Sequence, residues 1–120
     1  MPLFEFKKRE RLSSRKEIAA LLEDGKHIFH YPFKAVVKEV PASSEACSAI
    51  VVSVPKKIFK HAVDRNLVKR RTREAYRLNR KILEGEVSYH ILFVYVARTM
   101  LDYQTICNGV CAVLNQLKQQ

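Results

Sequence analysis

Apolar and polar positions alternate along this chain in patterns whose period changes four times, and with the breaks between successive strands they mark out seven elements. Ser13-Ser14 offers a helix N-cap, with Glu17 three residues after Ser14 in capping-box position. Ile18, Leu21 and Leu22 then fall at the 3, 4 spacing of one helical face, and Gly25 is expected to close that helix in the C′ role. From Lys26 the period shortens. Ile28, Phe29 and Tyr31 are strand formers interrupted by Pro32, which predicts an edge strand or a bend. Phe33 to Val40 predicts a strand partly exposed through Lys34 and Lys38. After a turn at Pro41 to Glu45, Cys47 to Val54 is nearly all apolar or small, which suits a strand covered on both faces. Pro55 stops it.

Residues 56 to 63 read as a basic connector. A helix of about 20 residues follows, with Asp64 as its expected N-cap and Gly85 just past its end. Tyr89 to Ala97 is the clearest strand. Asp102 is placed to cap a last helix whose apolar face is Ile106, Val110, Val113, Leu114 and Leu117. The order is α-β-β-β-α-β-α. Its strand–helix–strand unit, residues 47 to 97, implies two parallel strands joined by a crossover, right-handed by the general rule.

The length of 120 residues suits one domain with one core. No apolar run approaches the roughly 18 residues needed to span a bilayer. Met1 to Arg11 lacks the apolar stretch of a secretory signal, so a cytoplasmic location is the expectation. Cys47, Cys107 and Cys111 form no CxxC pair and leave an odd thiol, which fits reduced thiols better than a disulfide framework. Cys107 and Cys111 sit at i, i+4 on the last helix, but no His or carboxylate joins them at ligand spacing, which favours small buried packing residues over a metal site.

Charge changes the picture most. The formal net charge is +10 and the pI about 9.8, a balance that points toward polyanions. Eleven Lys or Arg residues lie between Lys56 and Lys81, opposed only by Asp64 and Glu74. That segment of 26 residues carries net +9, leaving +1 for the other 94. On a helical wheel with Leu67 at zero, Leu78, Ile82, Ala75 and Val68 fall between 0 and about 100°. Lys69, Arg80, Arg73, Asn66, Arg77 and Arg70 fall between about 200 and 300°. One face is thus packed and the other is a rail of cations. Arg71 falls in the apolar arc, either snorkelling to water or pairing with a buried acceptor. A row of like charges destabilises an isolated helix, and guanidinium forks match phosphate oxygens. The rail therefore reads as a nucleic-acid surface, with Asn66 able to reach a base edge or a 2′-hydroxyl.

A second basic cluster, Lys7, Lys8, Arg9, Arg11, Arg15 and Lys16, is flanked by Phe4 and Phe6. It reads equally as a single-strand RNA contact by charge and stacking or as a tail whose aromatics dock on the core. Catalytic patterns are missing. No paired carboxylates suggest two-metal chemistry, three glycines make no phosphate loop, and His27, His30, His61 and His90 form no metal-ligand motif. The chain reads as a binder without a catalytic site of its own.

The stretch from Lys56-Lys57 through Ala62-Val63-Asp64-Arg65-Asn66-Leu67-Val68-Lys69-Arg70-Arg71-Thr72-Arg73-Glu74 closely resembles the RNR signature of the bacterial ribonuclease P protein component. Lys7-Lys8, Arg11-Leu12, Gly25, Phe33 and Ala97-Arg98 extend the resemblance over nearly the whole chain. It implies an α/β sandwich with a four-stranded mixed sheet, and a left-handed crossover around the basic helix in place of the usual right-handed one. It also implies a non-catalytic subunit that binds ribonuclease P RNA through Lys56, Lys57, Arg65, Asn66, Lys69, Arg70, Arg73 and Arg77. A cleft matching Arg11, Ile18, Leu22, Phe33, Lys34 and Val36 would hold the single-stranded 5′ leader of precursor tRNA. Mg²⁺ on the RNA would perform the hydrolysis, with none bound tightly by the protein. The protein would be monomeric when free and have no membrane partner. Two departures stand out. Ile18, Leu22 and Val36 occupy positions where family members often carry aromatics, and Val51 and Phe59 occupy positions where many carry Gly. A general RNA-binding or ribosome-assembly protein is the alternative. A DNA-binding regulator lacks support, because no partner helix precedes the basic one.

Overall fold

The computed structural model describes residues 15–41, 48–83 and 87–118. The elements are α1 (Arg15–Asp24), β1 (Lys26–His30), β2 (Phe33–Pro41), β3 (Ala49–Ser53), α2 (Ala62–Asn79), β4 (Val87–Tyr95) and α3 (Tyr103–Lys118). A 3-10 turn, Arg80–Leu83, extends α2. The strands form one sheet in the order β1-β2-β4-β3. β1 pairs antiparallel with β2, β2 antiparallel with β4, and β3 parallel with β4. The expected order and the parallel strand–helix–strand unit are both present.

The period-two alternation assigns each sheet residue to a face. Phe33, Ala35 and Val37 of β2, Ile50 and Val52 of β3, and Ile91, Phe93 and Tyr95 of β4 join the main core. Val68, Ala75 and Tyr76 of α2 cover them, with Ile106, Val110, Val113, Leu114 and Leu117 of α3. The other face carries Val36, Ala49 and Leu92 packed under Leu21 of α1, with Ile18, Val51 and Val94 at the margin. A helical layer therefore lies on each side of the sheet, and both surfaces of β3 are apolar although it is an edge strand.

Several local expectations change. α2 begins at Ala62, with His61 extended before it and no side-chain cap, so Asp64 lies inside the first turn and is not the N-cap. Asp102 does cap α3, its Oδ1 accepting from the Thr105 amide at 2.9 Å. The Gly25 amide donates to the Leu21 carbonyl at 2.8 Å, yet no described glycine has a positive φ. Gly25 is needed for room: a Cβ there would run into the Leu21 carbonyl oxygen and Val36 Cγ1. Gly109 plays the same part on α3, where a Cβ would meet Pro32 Cδ at 2.7 Å and the Tyr31 carbonyl oxygen at 2.9 Å. That contact seats the β1–β2 turn on α3. The expected caps Ser13 and Ser14, the stop at Gly85, and Cys47 lie outside the described residues.

Candidate nucleic-acid interface

Burial rotates the packed stripe of α2 away from Leu67. The buried positions are Val68, Thr72, Ala75 and Tyr76, while Leu78 is 40 % exposed. Thr72 is tolerated inside because its hydroxyl donates to the Val68 carbonyl at 2.8 Å. Opposite this stripe, Asn66 and Arg70 are exposed and Lys69, Arg73 and Arg77 half-buried. Val63, 77 % exposed, is an apolar member of the same outer surface. The structure thus brings the rail together as the wheel implied, but its members are not equivalent.

Arg65 turns back from the rail. Its guanidinium donates to the Phe59 carbonyl at 2.8 Å and the Lys60 carbonyl at 3.0 Å. These bonds fasten the connector that carries Lys56 and Lys57, both exposed. The Phe59 ring in turn packs against Tyr95, centroids 5.9 Å apart, so an aromatic here anchors the connector to the sheet. Arg77 meets Glu74 through two contacts, Nη2 to Oε1 at 2.5 Å and Nε to Oε2 at 3.0 Å. The Arg77 hydrogen bond holds the Glu74 carboxyl below its ordinary pKa, and Glu74 raises that of Arg77. Both groups are charged at neutral pH, and the carboxylate occupies the fork a phosphate would use.

Arg71, left open by the wheel, pairs with a backbone acceptor: its Nη1 donates to the Leu101 carbonyl at 2.6 Å. Tyr95 holds the same segment, donating to the Thr99 carbonyl at 2.7 Å and accepting from the Leu101 amide at 3.3 Å. Burial pushes the Tyr95 hydroxyl pKa up. On α3 the Cys107 and Cys111 sulfurs lie 3.9 Å apart. Burial pushes the Cys111 thiol up to about 11. Among the described residues, no group of three or more His, Cys, Asp or Glu side chains is placed to hold a metal ion.

The cleft residues divide less evenly. Lys34 and Val36 lie on the α1 face of the sheet, with Ile18 half-buried beside them and Leu22 53 % exposed. Val36 is only 3 % exposed beneath Leu21, so little of it can meet a ligand. Phe33 does not belong to the cleft. The alternation of β2 turns it to the opposite face, where it is fully buried in edge-to-face contact with Phe93, centroids 5.3 Å apart. Arg11 lies outside the described residues.

Phe29 and Arg98 lie on or beside this face although the sequence did not mark them as site residues, and Lys57, expected on the RNA-binding surface, also borders it. Phe29 is 62 % exposed, while Lys57 and Arg98 line a groove of about 610 Å³ at the end of the sheet. Period-two alternation in Lys26–His30, which turns Phe29 away from the face of Ile28, was the available signal for Phe29.

Residues 6–118 match the family model described as Ribonuclease P. The chain is 39% identical over 110 residues to the ribonuclease P protein component of Porphyromonas gingivalis, covering 88% of this chain and 80% of that one. It is 37% identical over 92 residues to that of Desulfatibacillum aliphaticivorans, covering 77% of this chain and 75% of that one. Its fold resembles the RNase P protein from Thermotoga maritima, with TM-score 0.73 at 20% identity over 89% of this chain and 96% of that one. The RNase P protein of Staphylococcus aureus gives 0.69 at 20% identity, over 91% and 95% of the two chains.

Proposed function

The chain belongs to the Ribonuclease P family, and from that premise we propose that it binds ribonuclease P RNA through the outer face of α2 and guides the single-stranded 5′ leader of precursor tRNA along the α1 face of the sheet. It acts as the non-catalytic protein subunit of this ribonucleoprotein endoribonuclease in tRNA processing. Mg²⁺ held by the RNA supplies the hydrolysis, and the protein supplies charge, position and shape.

The observation that carries the reading is the rail on α2. Asn66, Lys69, Arg70 and Arg73 share one helical face opposite a buried stripe, and the connector adds Lys56 and Lys57 beside the helix N-terminus. Such a row of guanidinium, ammonium and amide donors suits a folded RNA backbone, since phosphate contacts fix register and orientation without reading sequence. The leader assignment draws on different features. Lys34 is exposed on a sheet face that α1 covers only in part, and exposed cations beside apolar surface suit an unpaired strand. No described helix is long and apolar enough to cross a membrane.

Reconstitution tests the proposal. Mixed with a bacterial ribonuclease P RNA at low Mg²⁺, the chain is expected to restore cleavage of precursor tRNA at the mature 5′ end. Absence of stimulation with several such RNAs, or equal affinity for unrelated structured RNAs, would overturn it. Arg70→Ala is expected to weaken binding to the RNA subunit while leaving thermal stability near wild type, because its side chain is exposed.

A further inference from the structure

Among the described residues, α1 covers its face of the sheet only in part. Cross-strand registers define two rows of side chains on it. One runs from His27 through Val36 and Leu92 to Val51, and its three apolar members pack with Ile18 and Leu21 of α1. The next runs from Phe29 through Lys34 and Val94 to Ser53. In this second row Phe29 is 62 % exposed, Lys34 is exposed, and Val94 and Ser53 are half-buried. The row is an open shelf across four strands with an aromatic ring at its edge.

Charge gives the shelf a direction. At one end of the face Lys38 is paired with Asp24 at 3.8 Å. At the other, β4 runs on from Val94 to Val96 and Arg98, which with Lys57 and Ile58 line the groove of about 610 Å³. Lys34, Lys57 and Arg98 form no ion pair among the described residues. Directly opposed cross-strand residues place their Cβ atoms about 5 Å apart, so a base lying on the Phe29 ring has its phosphate within reach of Lys34. A large exposed ring on an edge strand has no role in the core, which Ile28 already serves from the opposite face.

We propose that Phe29 is a base-stacking residue for single-stranded RNA, with Lys34 holding the adjacent phosphate and the Lys57–Arg98 groove receiving the strand that continues from it. The proposal rests on the reading that the α1 face binds the leader. It moves the stacking ring from α1 and β2, where Ile18, Leu22 and Val36 offer none, to the edge strand β1. Stacking tolerates any base, so the shelf adds affinity with little sequence preference.

The test uses the holoenzyme assembled with a bacterial ribonuclease P RNA and precursor tRNAs carrying 5′ leaders of one or of about ten nucleotides. The wild type is expected to bind the long leader more tightly. Phe29→Ala is expected to lose about fivefold to 150-fold of that gain, the range of one base–aromatic stack. Phe29→Leu should lose as much, Phe29→Trp should retain it, and affinity for the RNA subunit should not change. Lys34→Gln should reduce the gain and flatten its salt dependence. A Phe29→Ala protein that keeps the full gain, while the wild type shows one, overturns the inference and leaves the leader reading intact. A wild type indifferent to leader length overturns both. Self-association of the free protein that vanishes in Phe29→Ala, with leader affinity unchanged, overturns the inference by assigning the ring to a second copy of the chain.

Discussion

Glu74→Gln should tighten binding to the RNA subunit, although it alters a residue inside the basic signature. The reason lies in the geometry of one pair. Both Glu74 oxygens engage Arg77, at 2.5 Å on Nη2 and 3.0 Å on Nε, so the planar fork that would clasp a phosphate is already clasped. Glutamine has the same shape and removes the charge, which releases Arg77 to the rail. In the counterion-release picture each neutralised phosphate adds about 0.7 to 0.9 to the slope of log K against log salt. One extra contact is then worth about fivefold to eightfold in affinity at 0.1 M salt, and costs roughly threefold more affinity between 50 and 200 mM. The assay is equilibrium binding of a labelled ribonuclease P RNA over that salt range at fixed Mg²⁺. Arg77→Ala should bind more weakly than wild type, because it leaves the Glu74 carboxylate unpaired on the rail. The double variant, with the same net charge as wild type, should return close to it. If Glu74→Gln binds no tighter and its slope is unchanged, the carboxylate orients Arg77 for the RNA, and the reasoning fails.

Other consequences are more local. Gly109→Ala must push the β1–β2 turn off α3, since the new methyl would meet Pro32 and Tyr31. A loss of about 1–3 kcal/mol is expected for such overpacking, visible as a melting temperature several degrees lower, and an unchanged melt would show that the turn yields freely. Arg71→Ala strips the Leu101 carbonyl of a charged donor. It should destabilise by about 1.5–3 kcal/mol yet leave the RNA salt slope unaltered, and a changed slope would place Arg71 on the rail after all. The Cys111 thiol, pushed from an ordinary value of 9.0 up to about 11 by burial, stays protonated in the fold after it would ionise in the unfolded chain. The folded state then holds more protons, so stability should fall as pH rises from about 9 to 11. Urea midpoints across that window should decline less in Cys111→Ala, and equal declines would remove Cys111 as the cause.

Much of this molecule was legible in the residues. The order of elements, the parallel β3–α2–β4 unit, the apolar face of α3 and the cap at Asp102 follow from periodicity and local hydrogen bonding, which depend only on near neighbours in the chain. The cationic rail followed as well, because eleven basic residues in 26 leave a helix no other way to keep a dry face. The motif then tied the chain to the ribonuclease P family, and the family match bears that out.

What the chain could not reveal depends on residues far apart in sequence. Phe33 read as a cleft residue until strand pairing fixed its face: β2 alternates, and only its packing against Phe93 and Tyr95 shows that the face of Phe33 is the closed one. Arg65, Arg71 and Arg77 look alike in sequence. In the fold Arg65 and Arg71 bind backbone carbonyls, which depends on where the connector and the 96–102 segment come to lie, while Arg77 binds the carboxylate of Glu74 one turn back on its own helix. Among the described residues, the open shelf beside α1 follows from a ten-residue helix being too small to cover a four-stranded sheet. Sequence thus set which side of each element is greasy and where the positive charge sits. The tertiary structure decided which cations are already engaged and which side of the sheet stays open to a strand of RNA, since both depend on how distant segments meet.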